Sequence, residues 1–316
     1  MDQELKDRFV GTLLGGCIGD VLGSTNENLS FSQIRKERRI VTKFSSNMYT
    51  DDTELTLILA NYLLNHFNPS GKETIINELH KMYRSIVSTS ARGYSQKTRT
   101  LLTNWHECMS SFDSDTNGSV MRIAPLALVR CVSDTALYRL VKQAVYCTHG
   151  DSKDSLDTSF LHVKLIKALL FKKCKDPNIL YLYALEIVKK LQNSTLYPLL
   201  VAIHPNNKKT IFNGNSFGDV DVTESIFGFE MMQIKAVDCY VCVLTCFLYN
   251  FYKPVNALLM AANMGGDTDT IAKCVGDLVG SLYGTSWIPD TWKSPEGAKM
   301  CVALGEGLYE RFRTNT

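Results

Sequence analysis

The chain has no excess of either charge: 34 basic residues stand against 32 acidic ones, for a net charge of +2. That balance excludes a protein held to nucleic acid or anionic lipid by bulk charge; such a partner would need a local basic patch. Long apolar runs are missing as well. The stretch 237–251 is too short and too mixed to span a bilayer, and Asp238 interrupts it. Proline is scarce, with eight in 316 residues, and Pro69, Pro177 and Pro254 fall at turn or helix-start positions, so little in the sequence breaks a helix. Strand-like alternation is almost absent, as are repeats and low-complexity tracts. No secretory leader stands at Met1-Asp2-Gln3-Glu4. Ten cysteines without one point to a reducing compartment, so the cytosol is expected. Cys239, Cys242 and Cys246 fall at i, i+3 and i+7 with no second cysteine or histidine pair to complete a soft-metal site. They read as buried thiols on one helix face.

What is present is helical periodicity, nearly from end to end. It predicts helices at 4–18, 52–67, 71–90, 96–110, 120–131, 134–147, 155–174, 177–192, 235–250, 254–263, 268–283 and 296–313. The composition, 45% hydrophobic and 21% charged, is that of a globular protein able to bury a core without disulfides. The expectation is a single all-α domain over 1–316. Residues 197–227, rich in Asn, Gly and charge, read as an irregular connection, either a site rim or variable surface.

Six segments carry more Gly, Asp and Asn than helix packing needs. In YTDDTELTLILA (49–60), Thr50 is a good N-cap, and Asp51 and Asp52 suit the positive end of the helix that follows. In AANMGGDTDTIA (261–272), Gly265-Gly266 closes one helix and Asp267-Thr268-Asp269-Thr270 opens another. Capping explains one aspartate there, but hardly a second carboxylate and a second threonine. If the two clusters converge, four carboxylates with Thr50 and Thr270 form an all-oxygen set suited to Mg²⁺ or Mn²⁺ rather than zinc. Without cations they would repel one another.

The other segments have two readings each. In GCIGDVLGSTNE (16–27), Gly16, Gly19 and Gly23 allow close helix packing; alternatively, Glu27 is a loop carboxylate poised for proton transfer. In SDTNGSVMRIAP (114–125), Asn117-Gly118 is a turn dipeptide, Ser119 an N-cap, and Arg122 a partner for a buried carboxylate. In YCTHGD (146–151), His149 is either a structural histidine or a ligand-facing one. In ARGYSQKTRT (91–100), a basic helix start follows Gly93-Tyr94, which is either a solvated face or a phosphate site.

Taken together and in order, GDVLG (19–23), TDDTE (50–54), RGY (92–94), NGSVMRIAP (117–125), TH (148–149) and GGDTDTIA (265–272) resemble the ADP-ribosylglycohydrolase family. The resemblance spans residues 11 to 284. It implies a compact multi-helix bundle with two Mg²⁺ (or Mn²⁺) ions at the bottom of a cleft. The metal ligands it implies are Thr50, Asp51, Asp52, Asp267, Asp269 and Thr270, with Glu27 as the catalytic carboxylate. Gly93, Asn117, Gly118, Ser119 and His149 are the implied substrate-binding residues, and Arg122 the structural residue of the MR pair. The implied substrate is an ADP-ribosylated protein or a small ADP-ribosyl compound, cleaved at the anomeric carbon by a monomer with no nucleic-acid or membrane partner. One stretch departs from the family pattern. A glycine-rich segment usually precedes the asparagine and meets the diphosphate through backbone N–H groups; here it reads Phe112-Asp113-Ser114-Asp115-Thr116. Competing readings are a catalytically silent ADP-ribose-binding or structural protein of the same fold, and a nucleotide or phosphoester hydrolase.

Overall fold

The computed structural model describes residues 2–68, 75–104, 113–130, 133–171, 174–192, 194–204, 222–227 and 232–313. These form fourteen α-helices. In chain order they are α1 (Asp2–Gly23), α2 (Phe31–Lys36), α3 (Asp51–Asn65), α4 (Ile76–Val87), α5 (Gln96–Thr103), α6 (Asp134–His149) and α7 (Lys153–Phe171). Then come α8 (Pro177–Lys190), α9 (Leu196–Ala202), α10 (Val222–Phe227), α11 (Ala236–Tyr249), α12 (Pro254–Ala262), α13 (Thr268–Tyr283) and α14 (Ala298–Phe312). There is no strand among the described residues, only two isolated bridges, Leu29 with Gly266 and Thr116 with Lys235. No described helix is long and apolar enough to cross a membrane.

The centre of the fold is the antiparallel contact between α1 and α13. Gly11, Gly15, Gly19 and Gly23 recur every fourth residue of α1, so they form one ridge. A methyl group on any of them would overlap backbone atoms opposite, from Gly284 and Gly280 at one end to Thr268 at the other. Side chains that small let the backbones approach until Thr268 Oγ1 donates to the Gly23 carbonyl at 2.7 Å. The end of α1 and the start of α13 thereby meet at one point. A continuous apolar core surrounds this pair and includes Cys239, Cys242 and Cys246, all fully buried on α11. The described cysteines are free thiols.

Several elements differ from the periodicity-based reading. Residues 120–131 do not form one α-helix. Two 3₁₀ turns, Asn117–Arg122 and Ala124–Leu128, take their place. Pro125 lacks the N–H an α-helix would use and disfavours helical geometry in the residue before it. α1 runs to Gly23 rather than stopping near 18, because tertiary packing of its glycines outweighs their poor helix propensity. α2 is absent from the periodicity-based reading; Ser30 and Gln33 form a capping box at its start, each side chain bonded to the other's backbone N–H. α9 and α10 lie in the stretch read as an irregular connection, whose residues 205–221 are outside the described ones, as are 71–74 and 105–110 of the helices expected at 71–90 and 96–110.

Candidate active site

The start of α3 is held by three different partners. Asp20, fully buried in the last turn of α1, accepts from the backbone N–H of Thr50 and of Thr53 at 3.1 Å. The Asp51 N–H reaches the Arg92 carbonyl at 2.9 Å, and the Asp52 N–H reaches Thr50 Oγ1 at 3.3 Å. The helix's unpaired donors are thus satisfied by the protein itself, which fixes Asp51 and Asp52 in direction. Asp20 is therefore a clamp between two helices rather than a cavity carboxylate.

The start of α13 is fixed from the other side. Gly266 donates its N–H to the Leu29 carbonyl at 2.8 Å and accepts from the Asn28 N–H at 3.0 Å, tying the helix start to loop 24–30 and placing Glu27 beside Asp267. That loop is pinned by Asn26, a fully buried amide bonded to the Ala262 carbonyl at 3.1 Å. Asn117 donates to Asp267 Oδ2 at 2.5 Å. The Asp267 N–H donates to the side-chain oxygen of Gln233 at 3.1 Å, while the Gln233 carbonyl accepts from Asn117 at 3.2 Å. Gln233 has the left-handed φ of +50° and no motif around it, so nothing in the sequence marked it.

These elements enclose a cavity of about 370 Å³. Ten of the residues expected at the site line it: Glu27, Asp51, Asp52, Gly93, Asn117, Gly118, His149, Asp267, Asp269 and Thr270. Thr50 adjoins the lining through Asp52, its hydroxyl 3.4 Å from Asp52 Oδ2. Ser119 is a correction. It is fully buried and turned toward α7, donating to the Ser155 carbonyl at 3.3 Å and accepting from Ser159 at 3.1 Å. Its side chain does not reach the cavity, because the 3₁₀ turn rotates it inward. Arg122 is also partnered differently from expectation: among the described residues it meets no carboxylate but donates to the Gly118 and Ala144 carbonyls and to the Thr148 hydroxyl. Lys97, Ser114 and Thr116 also line it, from two segments the sequence reading had set beside phosphate, 91–100 and 112–116, without naming them as site residues.

The acidic end is electrostatically costly as it stands. Burial, then Asp20, Asp51 and Asp267, push the Asp52 carboxyl well up, while Lys273 opposes the shift. Burial, then Asp52 and Asp267, do the same to Asp269. Burial first, then Asp20, Glu27 and Asp267, raise Asp51 to about 7. Partial burial and Asp267 raise Glu27. Asp52 Oδ1 is buried with no hydrogen-bond partner among the described residues. A carboxylate oxygen left bare among like charges fits a hard divalent cation, and these oxygens could hold one.

A pH dependence follows for the chelated protein. A carboxyl raised on folding stabilises the fold when protonated, so its contribution is present at acid pH and lost as pH rises through its folded value. Melting in excess chelator is expected to weaken between about pH 4 and pH 7, the interval set by Asp51. Melting with divalent cation should not weaken across that interval. Parallel curves in the two conditions would sink this electrostatic account.

One turn below Asp269, a second polar group is buried. His162, Cys274 and Asp277 place donor atoms within 4.8 Å of one another. The cation position there is already taken: Lys273 Nζ lies 2.6 Å from Asp277 Oδ2, which His162 also approaches at 3.1 Å. This is an ion pair inside the core, and its ammonium partly offsets Asp52 from behind.

Known proteins supply the remaining observation. The family model described as ADP-ribosylglycohydrolase matches residues 1–316. ADP-ribosylarginine hydrolase Tri1 of Pseudomonas putida is 25% identical over 333 residues, covering 98% of this chain and 80% of that one. Human ADP-ribosylhydrolase ARH3 is 23% identical over 349 residues, covering 97% and 94%. A solved structure titled ADP-ribosylglycohydrolase-related protein complex shares the fold, with a TM-score of 0.68 at 22% identity over 99% of this chain and all of that one. With the helical architecture, the convergent acidic helix starts and a family match along its whole length, this chain belongs to the ADP-ribosylglycohydrolase family of hydrolases.

Proposed function

We propose that the protein hydrolyses the glycosidic bond between ADP-ribose and a protein side chain or small acceptor, using two Mg²⁺ ions (Mn²⁺ being an alternative). The carrying observation is the meeting of Asp51 and Asp52 with Asp267 and Asp269 on one cavity, with a bare, buried Asp52 oxygen. Thr50, Asp51, Asp52, Asp267, Asp269 and Thr270 would hold the ions, which supply charge to bind ribose hydroxyls and to favour an ionised water. Glu27, at the cavity edge, handles the proton; burial and the charge of Asp267 raise its affinity for protons, the direction a general acid–base carboxyl needs. Asn117 orients Asp267, and with Gly93, Gly118 and His149 it shapes the wall that places the anomeric carbon. The transition state is oxocarbenium-like, as in other glycoside hydrolysis.

The leaving group is read less directly. The similarity to an arginine hydrolase and to ARH3 makes ADP-ribosylated proteins the substrate class to try first. The test is release of free ADP-ribose from an ADP-ribosylated protein, with Mg²⁺ and then with chelator; release that persists in chelator sinks the metal-dependent reading. Glu27→Gln is expected to lower kcat by about a hundredfold or more while the Mg²⁺-induced rise in Tm remains. Full activity of Glu27→Gln would remove it from the proton transfer. A nucleoside phosphate cleaved faster than the ADP-ribosyl protein would favour the phosphoester reading instead.

A further inference from the structure

Asp267 occupies the N-cap of α13, yet its side chain makes no bond to the helix it starts. The usual device that fixes an N-cap aspartate is missing, so its direction is set from elsewhere. The geometry points to Gln233 as that source: a positioning residue whose side-chain oxygen and main-chain carbonyl together hold Asp267 in its cavity-facing place. The proposal rests on the reading of Asp267 as a cation ligand.

The contacts close a ring. The Asp267 N–H donates to Gln233 Oε1 at 3.1 Å. The Asn117 amide donates to the Gln233 carbonyl at 3.2 Å and to Asp267 Oδ2 at 2.5 Å. An amide nitrogen carries two protons, so both are committed. The backbone of Asn117 is tied to the same segment, its N–H reaching the Ile234 carbonyl at 2.9 Å. Asp267 is thus held at its backbone by Gln233 directly, and at its carboxylate by Asn117, which residues 233 and 234 hold in turn.

The fold admits this residue at a cost. Gln233 is 2% exposed and keeps a left-handed φ of +50°, a conformation that side chains other than asparagine and aspartate rarely accept. Room for its amide exists because residue 266 is glycine; a β-carbon there would overlap Gln233 Oε1. Gln233 itself does not line the cavity. It has no substrate to touch, and its effect on the reaction passes through Asp267.

The two ends of the amide differ in use. The Asp267 N–H needs an acceptor, which fixes Oε1 as the atom that faces it. Nε2 is buried with no hydrogen-bond partner among the described residues. Asp267 therefore requires the oxygen and not the nitrogen. Gln233→Glu keeps an acceptor in that place, and Gln233→Met removes it at nearly the same length. The pair separates positioning from packing.

Melting curves of the full chain across a Mg²⁺ titration test this, since a cation bound to the folded state raises Tm by an amount its affinity sets. Gln233→Met is expected to need about tenfold more Mg²⁺ for the same rise, as when the hydrogen-bonded support of a metal ligand is lost. Gln233→Glu should need no more Mg²⁺ than the parent, yet melt below it in chelator, where the added charge stands beside Asp267 with no cation to offset it. A side chain that only filled space would lower Tm without changing the Mg²⁺ demand. Parent-like demand in Gln233→Met, or a demand in Gln233→Glu as high as in Gln233→Met, would overturn the assignment. Should Gln233→Met not fold, Gln233→Glu decides alone: parent-like demand supports the acceptor, and a tenfold rise removes it. The two readings fail separately. Mg²⁺ demand that depends on Gln233, in a protein that releases no ADP-ribose, keeps this assignment and removes the hydrolase reading. Hydrolysis with a Mg²⁺ demand indifferent to Gln233 removes this assignment alone. A parent whose Tm ignores Mg²⁺ removes the metal-dependent reading and this one with it.

Discussion

Asp269→Asn is expected to abolish ADP-ribose release, by about a thousandfold or more, and at the same time to make the chelated protein more stable than its parent. The two signs come from one cause. Asp269 is 4% exposed, and burial together with Asp52 and Asp267 makes its ionisation unfavourable. Replacing it with a neutral amide of the same shape removes repulsion that no protein cation fully offsets, because Lys273 is committed to Asp277. With cation present the sign reverses. One oxygen ligand has been lost, so the Mg²⁺-dependent rise in Tm should shrink or vanish, and several kcal/mol of transition-state stabilisation with it. Melting curves with Mg²⁺ and with chelator, beside a release assay, read all three effects. A fully active Asp269→Asn would show that the two acidic helix starts do not form one centre. A chelated variant that melts below its parent would show that the carboxylates are not repelling one another.

Gly19→Val should be the most damaging single change outside the cavity. Helix propensity alone gives valine a modest advantage over glycine inside a helix. The structure demands the opposite, since a β-carbon at Gly19 would overlap the Ala272 carbonyl, and backbone cannot step aside as a side chain can. A loss of about 3 kcal/mol or more is expected, at the upper end for overpacking. Whatever folds should also be a poor enzyme, because pushing α13 outward separates Asp267 and Asp269 from Asp51 and Asp52. Denaturant midpoints and metal-dependent melting check both parts. A Gly19→Val protein as stable as the parent would mean the two helices are not in backbone contact.

The two predictions draw on different degrees of legibility. Asp267 and Asp269 stood out because capping needs only one acid at that helix start, so the second called for another explanation; Asp51 and Asp52, which capping and the helix dipole alone explain, were marked by the resemblance. Helix periodicity was readable because packing against a common core imposes it. The 3₁₀ turns at 117–128 were not, since two short turns and a broken α-helix present the same apolar spacing. Ser119 followed them, as a rotation of one residue in a tight turn exchanges inside for outside. Gln233 was hidden for a more general reason: it reaches its place through a loop conformation that residue type does not encode. Gly19 and Gly23 were half visible: the spacing announced a close contact, but only the fold names α13 as its partner.

That partner comes late in synthesis. The bond from Thr268 to Gly23 joins positions 245 residues apart, an interval of roughly 10–50 s at ribosomal speeds of 5–20 residues per second. Until then the nascent N-terminal helix carries a bare glycine groove, and its acidic neighbours wait without their counterparts. The ordering makes the acidic cavity the last feature the chain acquires: a translation product cut short before α13 has half of its carboxylates and no seam to close them.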